Sequence, residues 1–224
     1  MIRILPTVVP APVGTSDGNR LGADHPIRKV TRLVAFEPGG WTAERATQVS
    51  ELFDGLAPEW HTRDTPGRGA PVEDALERGG LVRGLCVELG SGTGHATRVL
   101  RKRYDRLLAL DISMEMLRHA PPEAGVRVRA DAGCLPLRDR SVDVLVLVNM
   151  FLFPHEVDRV LGPDGALLWV SSRGNQTPIY LEPTEVEAAL PGAWEGLTAA
   201  AGRGMWCVLR RARATVERAP GTGR

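Results

Sequence analysis

Short apolar runs alternate with amphipathic stretches along the chain from residue 81 onward. Apolar runs bounded by glycine or proline are typical of buried parallel strands, and the stretches between them have the spacing of amphipathic helices. The pattern predicts strands at residues 85–89, 107–110, 126–128, 142–148 and 166–170. Strands that alternate with helices in this way form a parallel sheet with helices on both faces.

The C-terminal part of the pattern is different. Residues 194–200 and 205–209 are two apolar runs joined by a glycine-rich turn, which is typical of a β-hairpin. A hairpin at this point adds an antiparallel strand to one edge of the sheet. The sequence therefore predicts a doubly wound, Rossmann-like α/β fold with a mostly parallel, seven-stranded sheet and a C-terminal antiparallel β-hairpin.

The N-terminal part has a weaker pattern. Residues 1–25 contain scattered prolines and glycines without a sustained period, so we interpret them as a flexible or peripheral arm. Residues 27–36 predict a short strand. A helix is predicted after Thr42, whose hydroxyl can accept a hydrogen bond from an unpaired backbone N–H, and residues 41–61 are expected to form a helical lid. The predicted segments are the arm, a strand and helical cap segment, the main domain and a C-terminal tail, at residues 1–25, 26–80, 81–213 and 214–224.

Composition narrows the class of protein. The 224 residues are 43% hydrophobic and carry a formal net charge of +1, which describes a globular chain without a global basic field. We therefore expect no nucleic-acid partner. All but two of the 28 basic residues are arginines, which we interpret as coding bias and not as a phosphate-binding surface. The three cysteines lack metal-ligand spacing, and no window is long and apolar enough for a membrane span, so we expect a cytoplasmic protein without a metal or a membrane partner.

A glycine-rich turn after the strand at residues 85–89 is the strongest chemical signal. Glycines let the backbone turn tightly and let a ligand approach without meeting a Cβ atom, and the helix that follows offers unpaired N–H groups. Gly90 and Gly92 match the start of a dinucleotide-binding fingerprint, but its third glycine should be residue 95, which is His95. The third glycine of this turn is Gly94.

Asp111 ends the next predicted strand, about 20 residues beyond the turn. A carboxylate at this place can accept hydrogen bonds from a ribose diol. The turn and Asp111 together indicate a cofactor that contains adenosine, without choosing between nicotinamide cofactors and others.

Further motifs follow in a fixed order over residues 80–210. They are Glu88-x-Gly90-x-Gly92-x-Gly94, Asp111, Arg129-Ala130-Asp131-Ala132 before Leu135-Pro136-Leu137, Ser141-Val142-Asp143-Val144, and the run from Glu156 to Gly165. The set resembles the class I S-adenosylmethionine-dependent methyltransferases, most closely the small-molecule branch that includes the ubiquinone and menaquinone biosynthesis enzymes. The resemblance implies S-adenosyl-L-methionine as the cofactor.

The resemblance also implies a role for each matching residue. Glu88 would hold the methionine ammonium group, and Asp111 would bind the ribose hydroxyls. Asp131 would accept from the adenine amino group. The remaining cofactor-binding residues it implies are Gly90, Ser91, Gly92, Gly94, Ile112, Ala132 and Asn149.

Catalysis by methyl transfer needs alignment above all, and it needs a general base only when the acceptor loses a proton. Asn149 and His155 are the candidates near the predicted methyl-transfer end, with His61 as a weaker one. The connections after the fourth and fifth predicted strands are short, so we expect a small-molecule acceptor and a monomer or homodimer. Two other functions stay open. One is a nicotinamide-dependent oxidoreductase, which His95 disfavours, and the other is a non-catalytic S-adenosylmethionine-binding partner subunit or sensor.

Overall fold

The structure, a computed structural model, describes residues 1–12, 22 and 24–213. Its strands are β1 (Ile2–Ile4), β2 (Cys86–Leu89), β3 (Leu107–Asp111), β4 (Val126–Arg129), β5 (Val142–Val148), β6 (Leu161–Ser171), β7 (Trp194–Ala201) and β8 (Gly204–Arg211). Its α-helices are α1 (Ile27–Phe36), α2 (Ala43–Leu56), α3 (Ala70–Arg78), α4 (His95–Leu100), α5 (Met114–His119), α6 (Pro154–Val160) and α7 (Pro183–Ala189). A 3₁₀ helix, Ala57–Arg63, follows α2 directly.

All of the described strands form one sheet in the order β1-β7-β8-β6-β5-β2-β3-β4. β8 is antiparallel to β6 and β7, and the other neighbouring strands are parallel. The predicted Rossmann-like fold with its C-terminal hairpin is confirmed. The predicted number of seven strands is wrong, because the described part of the chain has eight.

The additional strand lies at the start of the chain, in the segment that we interpreted as an arm. Ile2 faces Gly196 in parallel pairing with β7, and the N–H of Leu5 continues the pairing by donating to Thr198 O at 2.8 Å. An edge strand needs a partner on one side only, so the prolines that follow do not exclude it. Residues 13–21 and 23 of the predicted arm, and the predicted tail at 214–224, lie outside the described residues.

Residues 27–36 form the helix α1 and not the predicted strand. The side chains of Thr31, Val34 and Ala35 are buried, and Ile27 and Val30 pack against the same core cluster. These positions are three or four residues apart, which is the spacing of one helix face. Val and Ile favour strands, but the spacing decides the structure here.

The sheet is buried on both faces by alternate residues of each strand. On β5, Leu145 and Leu147 belong to one core cluster, whereas Val144 and Val146 belong to the other. This alternation follows from the two-residue period of a strand. It leaves the carboxyl edge of the sheet, where the strands end, as the place for a ligand. None of the helices in the described part of the chain is long and apolar enough to cross a membrane.

Candidate active site

A cavity of about 740 Å³ opens at the carboxyl edge of the sheet, within the size range of small-molecule sites. Leu89 at the end of β2 is paired with Leu110 on one side and Leu147 on the other, so the ends of these three strands meet there. The predicted cofactor-binding residues that line the cavity are Glu88, Gly90, Ser91, Gly92, Asp111, Ile112, Asp131, Ala132 and Asn149. Gly94 does not line it. It precedes α4 with a φ of 80°.

The glycine turn forms one wall of the cavity. Gly90 and Gly92 have φ angles of 67° and 53°, which residues with a Cβ rarely adopt. A Cβ on Gly92 would have the indole nitrogen of Trp60 as its nearest neighbour, at 3.7 Å, which is an ordinary van der Waals contact. The Ser91 hydroxyl is buried and has no hydrogen-bond partner among the described residues. A cradle without Cβ atoms and an unsatisfied hydroxyl fit a ligand that presents polar groups to this turn.

Asp111 is held in place at the end of β3. One of its oxygens accepts from Gly92 N at 2.7 Å and the other from Ser113 N at 2.8 Å. Each carboxylate oxygen has two lone pairs, so both keep capacity for a ligand hydroxyl. Burial raises the pKa of Asp111, against the effect of these hydrogen bonds. The geometry suits the predicted ribose contact.

Glu88 is only 1% exposed, one residue before the end of β2. The Thr97 hydroxyl donates to Glu88 Oε2 at 2.5 Å. Burial raises the pKa of Glu88 to about 8, and the nearby Asp111 adds to the effect. A cationic ligand group would favour the ionised form of this carboxyl.

Asp131 already has protein donors in this structure. The indole N–H of Trp41 lies 2.9 and 3.0 Å from its two oxygens, and Gly133 N donates to Oδ1 at 2.7 Å. Trp41 also packs against Phe151 and Phe153, with ring centroids 5.9 and 5.2 Å apart. An adenine amino group at Asp131 would therefore share this carboxylate with Trp41.

The cap segment is anchored over the cavity by α2 and the 3₁₀ helix. Asp54 Oδ1 accepts from the Ser113 hydroxyl at 2.5 Å and from Glu115 N at 3.0 Å, which fastens α2 to the start of α5. Phe53 and Trp60 line the cavity and contact each other edge to face, with centroids 5.7 Å apart. These aromatic side chains give the cap side of the cavity an apolar lining.

Asn149 follows β5 with a φ of 52°. Its side-chain amide donates to the Ser172 hydroxyl at 2.8 Å, and its side-chain oxygen accepts from Ser172 N at 2.8 Å. The pair joins the ends of β5 and β6 at the cavity wall. Asn149 is thereby fixed in orientation, which suits a positioning role.

The structure does not bring His155 to this site. His155 is exposed on the first turn of α6 and does not line the cavity. His61 is also exposed, and its Nδ1 lies 3.1 Å from Pro58 O. His95 does line the cavity, but its Nδ1 is 2.8 Å from Asp64, and burial lowers its pKa.

A basic part of the site carries no signal in the sequence. Four arginines from three separate segments line the same cavity, namely Arg63, Arg68, Arg173 and Arg203. The three segments are far apart in the chain and follow no motif, so only the tertiary structure could group them. The interpretation of the arginines as coding bias did not anticipate this group.

Comparison with known families and proteins finds similarity to methyltransferases. Residues 87–169 match a family described as a methyltransferase domain. The chain is 30% identical over 162 residues to the 23S rRNA (guanine(748)-N(1))-methyltransferase of Streptomyces fradiae, covering 70% of this chain and 54% of that protein. It is 38% identical over 95 residues to the malonyl-[acyl-carrier protein] O-methyltransferase of Methylococcus capsulatus, covering 36% of this chain and 34% of that protein. The chain spans about a third to a half of the length of the curated relatives it matches.

Solved structures share the fold. A DhpI–SAH complex has a TM-score of 0.58 at 22% identity, over 76% of this chain and 99% of that one. A SAM-dependent methyltransferase from Aquifex aeolicus has a TM-score of 0.56 at 20% identity, over 68% and 96%.

Proposed function

Because this chain carries a class I S-adenosylmethionine-dependent methyltransferase domain, we propose that it transfers a methyl group from S-adenosylmethionine to a small-molecule acceptor. The predicted family and cofactor are confirmed. One observation carries the proposal. A single cavity joins the glycine turn and its carboxylates to a space lined by the aromatic side chains of the cap, so two bound groups can be aligned side by side.

The residues of the chain divide into two functions in this proposal. Glu88 and Asp111 hold the cofactor by its ammonium group and its ribose, and the glycine turn lies under both. S-adenosylmethionine supplies a methyl group on a positively charged sulfur, which leaves as a neutral thioether when an acceptor atom attacks in line. Asn149, locked by Ser172, forms the wall beside the acceptor.

Positioning carries the catalysis in this proposal, and His155 has no part in it because it is exposed outside the cavity. Trp41 and Trp60 line the cavity on its cap side. Alignment and exclusion of water account for large rate effects without a general base. An acceptor that is already deprotonated at neutral pH needs no base at all.

RNA is the second candidate acceptor. Relatives named as 23S rRNA methyltransferases support it, and arginines line the cavity. We favour a small acceptor because the cavity, of about 740 Å³, is within the size range of small-molecule sites.

Two measurements test the proposal. Calorimetric titration should give S-adenosylhomocysteine binding in the micromolar range, about −8 kcal/mol, and no binding of NAD. Transfer of labelled methyl groups from S-adenosylmethionine should then label a small-metabolite fraction and leave purified 23S rRNA unlabelled. Labelled rRNA would show that the acceptor is RNA and not a small molecule. Binding of S-adenosylhomocysteine without methyl transfer to either pool would favour a non-catalytic relative.

A further inference from the structure

The arginines of the cavity come from three places in the fold. Arg63 ends the 3₁₀ helix and Arg68 lies between that helix and α3, Arg173 follows β6, and Arg203 is in the turn between β7 and β8. Arg68, Arg173 and Arg203 are half-buried and Arg63 is exposed. These residues bring several positive charges to one cavity.

The charges of the cavity are separated along the sheet. The acids Glu88, Asp111 and Asp131 lie at or just beyond the ends of β2, β3 and β4. Arg173 and Arg203 lie beyond the ends of β6 and β7, on the other side of β5. The hairpin turn reaches the same edge because Ser171, the last residue of β6, is paired with Met205. The acidic part of the cavity therefore suits the cationic cofactor. The basic part faces the molecule that binds beside the cofactor.

Arg68 shows that the basic groups influence one another. Burial lowers its pKa, and the positive charges of Arg63 and Arg173 lower it further, against the raising effect of Asp64. Asp64 is itself shared, since it lies 2.8 Å from His95 Nδ1 and 3.2 Å from an Arg98 nitrogen. A bound anion would relieve this repulsion. Guanidinium groups match carboxylate and phosphate oxygens in geometry as well as in charge.

We propose that the acceptor is a small anion, carrying a carboxylate or a phosphate, whose charge is held by Arg173 and Arg203 with Arg68 beside them. The proposal rests on the proposed function and names the substrate class of that site. The arginines anchor the acceptor, so that its reacting atom lies beside Asn149 between the two charged regions of the cavity.

The carboxylate of the cofactor is the competing occupant for these arginines. Arg68 lies within electrostatic range of His95, which begins the helix after the glycine turn. Arg173 and Arg203 lie on the far side of β5 from that turn. The test therefore centres on Arg173→Gln and Arg203→Gln, and it measures cofactor and anion binding separately.

The experiment is calorimetric titration of the full chain at fixed ionic strength. S-adenosylhomocysteine is titrated first, and malonate or inorganic phosphate is then titrated into the saturated complex, with malonamide as the neutral counterpart of malonate. We expect at least one anion to bind and malonamide not to bind. Each of Arg173→Gln and Arg203→Gln should weaken binding of the anion by about tenfold, because each removes one hydrogen bond to a charged group. Neither should change the affinity for S-adenosylhomocysteine.

Arg106→Gln is the matched control, because Arg106 is exposed just before β3, at the opposite edge of the sheet. It removes the same charge and should change neither affinity. Melting temperatures establish that each variant is folded.

Three results would overturn the proposal. They are no anion binding to the complex, equal weakening by Arg106→Gln, or weaker S-adenosylhomocysteine binding in Arg173→Gln and Arg203→Gln, which would assign the arginines to the cofactor. A short oligoribonucleotide that binds through the same arginines when malonate and phosphate do not would assign them to RNA. Failure of S-adenosylhomocysteine to bind the unmodified chain would instead remove the proposed function itself.

Discussion

Glu88 links the cofactor site to pH. Burial raises its pKa to about 8, so the carboxyl is mostly protonated at neutral pH before a ligand binds. The ammonium group of S-adenosylhomocysteine favours the ionised form, and binding should release a proton. We predict that affinity rises with pH between about 6 and 8, with a slope approaching about one logarithmic unit per pH unit, and then levels off. Calorimetry in buffers of different ionisation enthalpy measures the affinity and the number of protons released on binding.

Glu88→Gln is the control for this dependence. Asp111, whose pKa is also raised by burial, is present in both proteins, so the difference between their slopes belongs to Glu88. Without cofactor, the unmodified protein should lose stability as pH rises from about 4.5 towards 8, because the folded state binds a proton that the unfolded state has released. The same slope in Glu88→Gln would show that another group is responsible.

Asp111 gives a second prediction at this scale. Asp111→Ala removes the charged acceptor of both ribose hydroxyls, and a hydrogen bond to a charged group contributes about 1.5–3 kcal/mol. S-adenosylhomocysteine should bind one to two orders of magnitude more weakly. Asp111→Asn separates charge from shape, because it keeps one side-chain oxygen as an acceptor. Unchanged affinity in a folded Asp111→Ala protein would show that the ribose lies elsewhere.

The residues nearest to strand ends were the ones that the sequence could place. Glu88, Asp111 and Asn149 lie at or next to the ends of apolar runs, and parallel strands bring those ends to one edge. Arg173 and Arg203 lie in turns, and their approach to the cavity depends on how β6 and the hairpin pair. No local sequence pattern predicts that strand pairing.

At the scale of elements, the same distinction explains α1. Residues 27–36 are rich in residues that favour strands, yet their buried positions recur every three or four residues. By contrast, the α2 N-terminus was predicted correctly, since Thr42 accepts from Arg45 N as a helix cap. Capping is a local interaction between near neighbours, whereas strand and helix preferences of short apolar runs overlap until tertiary packing selects one.

The attachment of α2 to the domain is a testable part of the cap. Asp54→Ala removes the acceptor for the Ser113 hydroxyl and for Glu115 N. Because Asp54 is half-buried, we expect a loss of about 1–2 kcal/mol in the free energy of unfolding. That corresponds to a fall in melting temperature of about 2–8 °C for a chain of this size. Differential scanning calorimetry measures it.

The same variant should bind S-adenosylhomocysteine several-fold more weakly, because α2 carries Phe53 to the cavity wall. Glu51→Ala is the control, since Glu51 is an exposed residue of the same helix. A lower melting temperature with full affinity would mean that the cap stabilises the fold without contributing to the site.

For the whole molecule, the start of the chain is where sequence and structure disagree most. Three prolines at positions 6, 10 and 12 favoured an irregular arm, but a strand of only three residues precedes them. Beyond β1 the chain still follows the sheet, since Val9 O accepts from Gly202 N at 2.9 Å. The N-terminal ammonium group lies 2.9 Å from Glu187 at the end of α7. A strand this short is defined by its partner β7, and the sequence offers no periodic signal over three residues.

Substitutions in β1 test whether this edge contributes to stability. Ile2 packs against the main core cluster, whereas Ile4 on the same strand is 80% exposed. Ile2→Ser should lower the free energy of unfolding by about 1 kcal/mol, because part of a buried aliphatic side chain is lost. The melting temperature should then fall by about 2–4 °C. Ile4→Ser makes the same chemical change on the exposed side and should stay within about 0.5 kcal/mol of the parent.

Both variants should keep their affinity for S-adenosylhomocysteine, since β1 is at one end of the strand order and β7, β8, β6 and β5 separate it from β2, which leads into the glycine turn. Urea unfolding followed by circular dichroism gives the two free energies with their slopes. Equal stability of the two variants would mean that the first residues do not add to the core, and the original interpretation of a peripheral arm would then describe them better than an eighth strand does.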